Sequence, residues 1–156
     1  YQDMLIRIGN RFYLKEKAEE ILKTGEPVSV CYCDLDHLKY INDTFGHQEG
    51  DAYIRFFVRI VNENIREEDI FARIGGDEFA VIVFNPEKEA ELFLSEMDRE
   101  IYSFNKNSRH RLTVARGYSL IRDEDGNLKT ISEWKYEADE ALYQNKRKGG
   151  RTGGSL

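Results

Sequence analysis

Between two apolar runs lies the stretch Arg73-Ile74-Gly75-Gly76-Asp77-Glu78-Phe79, and it constrains the fold more than any other part of the chain. Ile70-Phe71-Ala72 leads into it and Ala80-Val81-Ile82-Val83-Phe84 leads out. Both runs have the β-branched and aromatic content of buried strands. Two such strands closed by Gly-Gly predict a β-hairpin, since adjacent glycines accept positive φ without a Cβ penalty and let another molecule approach the bare backbone. Asp77 and Glu78 then fall at its tip. Acids there are either a solvated turn or oxygen ligands for a hard cation such as Mg2+.

Composition narrows the context for that hairpin. The 156 residues are expected to form one domain, 1–156, with a core that needs no staples. A net charge of -6 argues against a nucleic-acid partner, because such binders present a basic face. An anionic small ligand is still allowed if local cations or a metal receive it. Cys31 and Cys33 alternate within one apolar run, so both point to the same side of a strand and read as free buried thiols. That suits a reducing cytosol, and cytoplasmic localisation is expected. No apolar run approaches the ~20 residues that span a bilayer, and no signal peptide is evident. The chain opens at Tyr1 rather than Met, so a longer protein is expected, with an upstream sensor or membrane segment.

Taken in order, residues 3–24 read as a helix stopped at Thr24-Gly25, with Pro27 beyond. Val28 to Asp34 reads as a buried strand that delivers Asp34 at its end. A short helix over His37 to Asp43 follows, then a longer one over Gln48 to Arg66, whose Ile54, Phe57, Val58, Val61 and Ile65 share one face. After the hairpin, Asn85 is placed as N-cap and Pro86 as first residue of a helix carrying Ala90, Phe93, Leu94, Met97 and Ile101. Leu112 to Ile121 is a further strand, 122–127 a polar turn, and Ile131 to Arg147 a last helix with Trp134, Ala138, Ala141 and Leu142 inward. This order predicts an α+β fold of ferredoxin-like, split βαβ type: a central antiparallel sheet with helices on one face and the hairpin at the rim. Asp34 and Asp77 would meet there.

A second stretch, from Asp34-Leu35-Asp36-His37-Leu38-Lys39 through Asn42 to Gly50-Asp51, turns from a strand ending in acids into a helix. Helix-start N–H groups beside carboxylates suit a phosphate and a metal together. Asn42 and Asp51 offer the groups that match the hydrogen-bonding edge of guanine, and each also reads as a cap or surface residue. His37 and His47 have no third ligand at metal spacing and read as structural or solvent-facing.

Arg73 with Gly75-Gly76-Asp77-Glu78-Phe79, the Asp34 to Asp51 stretch, and Ala138-Asp139-Glu140-Ala141-Leu142-Tyr143-Gln144-Asn145-Lys146 together resemble the GGDEF family of diguanylate cyclases. The resemblance covers nearly the whole chain. It implies a fold like that of nucleotidyl cyclases and condensation of two GTP into cyclic di-GMP plus pyrophosphate, in a homodimer of facing domains. It makes Asp34, Asp77 and the Leu35 carbonyl ligands of Mg2+ (or Mn2+). His37, Leu38 and Lys39 become a phosphate-holding turn with Gly75 and Gly76 nearby, Asn42 and Asp51 guanine readers, and Lys146 a triphosphate contact. Glu78 is implied as a further metal ligand or as the group deprotonating the attacking 3′-hydroxyl. Arg66-Glu67-Glu68-Asp69 matches the family's RxxD site for inhibition by product, with Arg99 as a candidate second arginine.

Three segments depart from the family pattern. Ile6-Arg7 replaces Thr-Gly ahead of Asn10-Arg11, Ala115-Arg116-Gly117 replaces Ser-Ile-Gly, and Gly150 pushes Arg151 one place along. The altered entry and C-terminal motifs motivate an alternative, a catalytically silent module that binds GTP or cyclic di-GMP and regulates an attached or partner domain.

Overall fold

A computed structural model describes residues 8–84, 86–108 and 111–148. The element order is α1 (Arg11–Thr24), β1 (Val28–Asp36), α2 (Leu38–Phe45), α3 (His47–Asn64), β2 (Ile70–Arg73), β3 (Glu78–Phe84), α4 (Pro86–Asn105), β4 (Thr113–Leu120) and α5 (Ile131–Lys148). The strands form one antiparallel sheet in the order β2-β3-β1-β4, the split βαβ arrangement.

The helices lie on both faces of this sheet, not on one as the sequence suggested. Side chains alternate along a strand, so Cys31, Cys33 and Leu35 of β1 face one way, with Phe79, Val81 and Val83 of β3. They pack under Phe57 and Val61 of α3 and Phe93 and Met97 of α4. Val28, Val30 and Tyr32, with Ala80 and Ile82, face the other way under Leu14, Ala18 and Ile21 of α1 and Trp134 and Ala138 of α5. Burial on both faces is why β1 and β3 read as unbroken apolar runs without polar alternation. Both cysteines are free and buried, and burial pushes the Cys33 thiol up to about 12.

The first helix starts later than the sequence suggested. Asn10 caps it by accepting from the Tyr13 amide at 2.8 Å, and Gly25 ends it at φ 75°. Just before the cap, Gly9 bridges Ala72 in parallel, with Gly9 N–H donating to Phe71 O and Arg73 N–H donating to Gly9 O, both at 2.9 Å. Gly9 thus covers part of the outer edge of β2. Residues 3–7, the Asn85 cap and the glycine-rich tail from Gly149 lie outside the described residues, as do the side chains of Ala141 and Leu142.

Arg116, the charge at a position usually apolar, projects toward α4 and pairs with Asp98. Its neighbour Gly117 lets α5 close on β4: a Cβ there would sit 2.5 Å from the Ala138 carbonyl oxygen. Gly117→Ala is therefore expected to lower stability by about 1–3 kcal/mol, read as a shifted urea midpoint at unchanged slope.

Candidate active site at the sheet rim

β1 and the hairpin converge on one rim. Asp34 is the register partner of Glu78, and the Leu35 amide donates to the Asp77 carbonyl at 2.8 Å, so Asp34 and Asp77 become neighbours although far apart in sequence. The tip is braced from below. The Arg73 guanidinium donates through Nε to the carbonyls of Gly75 and Gly76, each at 3.2 Å, while Ile74 and Gly75 amides both donate to Glu78 O. The expected positive φ at Gly75 and Gly76 is not found; among described glycines it occurs at Gly25, Gly46 and Gly126. Gly75 lies against the Glu78 side chain: a Cβ there would fall 2.7 Å from Oε1 and displace the end of that side chain.

Just beyond the same strand end, β1 hands over to α2 through His37 at φ 68°, the one non-glycine residue with positive φ among those described. A left-handed residue there is strained and marks the sharp turn from strand into helix, whose first N–H groups have no partner within the helix. Leu38 is buried as the anchor of this turn, while Lys39 is exposed and pairs with Asp43 at 2.8 Å. His37 and His47 are both exposed. Behind them, α2 and α3 meet at Gly46, and Asn42 lies directly against Gly50. A Cβ on Gly50 would fall 1.7 Å from Asn42 Oδ1. Asp51, the residue after Gly50 in the first turns of α3, is exposed.

Among the described residues no three His, Cys, Asp or Glu side chains gather as a metal cage. The rim offers two aspartates, which fits Mg2+: this ion takes one or two carboxylates and completes its shell with substrate phosphates and water. Hard oxygen donors beside a helix N-terminus suit a metal–phosphate pair in chemistry as well as place.

Glu78 is engaged differently from the aspartates. It faces the α1 and α5 side, where the Tyr32 hydroxyl donates to Oε2 at 2.6 Å and Lys135 of α5 pairs with the same oxygen. Tyr32 Oη is also 3.5 Å from Asp34 Oδ2, and Lys135 Nζ stands 5.6 Å from the centre of the Tyr32 ring. Burial raises the Glu78 carboxyl, but the hydrogen bonds from Lys135 and Tyr32 outweigh it and hold the group below the usual carboxylate range. Burial and the Glu78 bond push the Tyr32 phenol up, so it stays a donor. Asp139, one turn beyond Lys135, is pushed up by burial against the pull of Lys135. Sequence reasoning missed Tyr32 and Lys135. Their signal was a cation on the inner side of α5, between Trp134 and Ala138.

On the far side of the hairpin, Arg66 and Asp69 close a turn on themselves. The Arg66 amide donates to Asp69 Oδ2 at 2.9 Å, and the Arg66 guanidinium donates to Phe84 O at 2.8 Å and lies 3.7 Å from Asp69 Oδ1. Asp69 is only 5% exposed, its Oδ1 has no hydrogen-bond partner, and burial pushes its carboxyl up. Arg99 is exposed and pairs with Glu96. Lys146 falls within α5, but its side chain lies outside the described residues, as does Arg151.

A family model described as diguanylate cyclase, GGDEF domain, matches residues 1–152. Among curated proteins, the chain is 35% identical over 147 residues to the uncharacterized protein YtrP of Bacillus subtilis (strain 168), covering 94% of this chain and 25% of that protein. It is 33% identical over 159 residues to the probable diguanylate cyclase DgcT of Escherichia coli (strain K12), covering 96% and 34%. The chain thus spans about a quarter to a third of the length of these curated relatives. Among solved structures, the GGDEF domain of DgcB from Caulobacter crescentus in complex with c-di-GMP superimposes with a TM-score of 0.75 at 28% identity, covering 95% of this chain and 91% of that one.

Proposed function

The chain belongs to the GGDEF domain family of diguanylate cyclases, and from that premise we propose that it condenses two GTP into cyclic di-GMP, releasing pyrophosphate, where two copies of the domain face each other. The observation that carries this is the Leu35–Asp77 backbone bond, which brings Asp34 and Asp77 to one rim beside the α2 N-terminus.

In this reading Asp34, Asp77 and the Leu35 carbonyl hold Mg2+, which when bound neutralises the phosphates and the departing pyrophosphate. The chain itself supplies position. The turn at His37, Leu38 and Lys39, with Gly75 and Gly76 opposite, receives the phosphates on backbone N–H groups. Asn42 and Asp51 read the guanine edge, Asp51 accepting from its N1 and N2 donors. Lys146 reaches the triphosphate from α5. One copy presents one GTP, so reaction needs a second copy carrying the other, and an upstream sensor would set how the two meet.

Product returns to Arg66 and Asp69. The exposed Arg66 guanidinium, held beside the Asp69 carboxylate and on the Phe84 carbonyl, suits a phosphate. An Arg66→Ala variant is expected to keep turning over at cyclic di-GMP concentrations that stop the parent, its inhibition constant rising about tenfold or more with the loss of a charge-assisted contact. Progress curves with added product check this.

The function is tested by incubating the protein with GTP and Mg2+ and separating the nucleotides. Cyclic di-GMP is the expected product. GTP that is bound yet intact after long incubation at high protein concentration would overturn cyclase activity in favour of a silent nucleotide-binding module.

A further inference from the structure

On the face of the sheet turned away from α3 and α4, α1 packs against β2 while α5 packs against β4 and β1, so the two helices stand apart. Between them lies a cleft of about 350 Å³ that the rim chemistry does not use. Buried side chains close its floor, Leu14 and Ala18 from α1 and Ile121 and Trp134 from the other side. The half-buried Leu128 and Ile131 extend that apolar wall toward the surface. A cleft of this size admits one short apolar group and is too small for a two-chain lipid.

The mouth is charged along the α1 side. Arg11 and Lys15, one turn apart on the helix, both line it and both are exposed. The first turn of α1 carries no acid to offset them, although the chain as a whole has a net charge of -6. Arg11 Nη1 donates to Ile74 O at 3.1 Å, which fixes the guanidinium in place and leaves its other donors over. Across the cleft the nearby acids of α5 are already engaged: Glu133 Oε1 accepts from the Thr130 amide at 2.8 Å, and Glu137 pairs with Lys129 at 2.5 Å. An apolar slot with fixed cations on one lip matches a molecule that is apolar at one end and anionic at the other. The guanidinium fork suits a carboxylate, and each methylene withdrawn from water adds to the affinity.

We propose that the cleft between α1 and α5 is a binding site for a free medium-chain carboxylate, its head on Arg11 and Lys15 and its tail over Trp134. The site is separate from the rim, and its occupancy is measured without GTP turnover.

Trp134 is the single tryptophan of the chain, so its emission reports on the cleft. Titration with octanoate should change that emission saturably, with a matching heat in calorimetry. 1-Octanol, the same chain without the charge, should bind about tenfold or more weaker. Lys15→Glu should weaken octanoate about tenfold, and Ser132→Phe, which fills the mouth from an exposed position on α5, should abolish the signal. Both variants should unfold within a few degrees of the parent, because both positions are exposed. Octanol binding as tightly as octanoate, or octanoate binding both variants as it binds the parent, would overturn the site. So would the absence of both heat and emission change in the parent.

Discussion

Asp77→Asn is expected to reduce cyclic di-GMP formation by about a thousandfold or more, since under the proposed cyclase function it removes an anionic oxygen that balances metal and phosphate charge. The substitution keeps side-chain volume and shape. The fold should survive, because the contribution of Asp77 to the architecture is its carbonyl, which accepts from the Leu35 amide at 2.8 Å and is untouched. The tip is also held independently by Arg73 on the Gly75 and Gly76 carbonyls. Thermal unfolding of the variant should therefore stay within a few degrees of the parent, the span that about 1 kcal/mol produces in a domain this size. A folded variant retaining a tenth of parental turnover would contradict the metal assignment.

The second large effect comes from a residue with no chemistry of its own. Gly50→Ala is expected to lower kcat/KM for GTP about 10- to 100-fold, the value of one or two hydrogen bonds to a polar base edge. A Cβ at this position would lie 1.7 Å from Asn42 Oδ1, and α3 cannot shift to relieve it because Tyr53, Phe57 and Val58 bury the same helix. The Asn42 carboxamide must swing away, and the guanine contact proposed for it is lost. Steady-state kinetics with GTP and with ITP, which lacks the exocyclic amino group, check this. The loss should fall on both nucleotides alike, because Asp51, which receives the N1 and N2 donors, is untouched, whereas an unaltered KM for both would remove Asn42 from base recognition.

Much of this rim was legible in the residues because it rests on local rules. A β-branched run ending in Asp34, a turn flanked by two apolar runs, and the i, i+3, i+4 stripe of α3 each follow from periodicities of two or 3.6, and each is present. What escaped was set by tertiary contacts. Gly9 lies in a segment read as helix, yet it pairs with Ala72 because the edge of β2 would otherwise be bare. Nothing local announces that. The unbroken hydrophobicity of β1 and β3 carried the information that helices cover both faces, but the expected layering placed them on one. Gly75 and Gly76 were expected to serve the turn through positive φ, while Gly75 instead lies against the end of the Glu78 side chain. Lys135 is separated from Glu78 by more than fifty positions, so only the seating of α5 on β4 and β1 unites them.

The Arg66–Asp69 turn shows the same limit from another side. An RxxD pattern read alone is a solvated charge pair, and in the fold Arg66 is exposed while Asp69 is buried with one oxygen lacking a hydrogen-bond partner. That asymmetry depends on Phe84 at the end of β3, whose carbonyl holds the guanidinium. A spacing rule cannot supply it.

The central claim is that each domain holds one GTP and that bond formation needs two domains. The most direct test is the initial rate of cyclic di-GMP formation from GTP and Mg2+ over a hundredfold range of protein concentration. The rate per domain should rise in proportion to concentration while copies are dilute, and level off as they pair. A rate per domain that is constant across the range, with the protein monomeric throughout by light scattering, would contradict it.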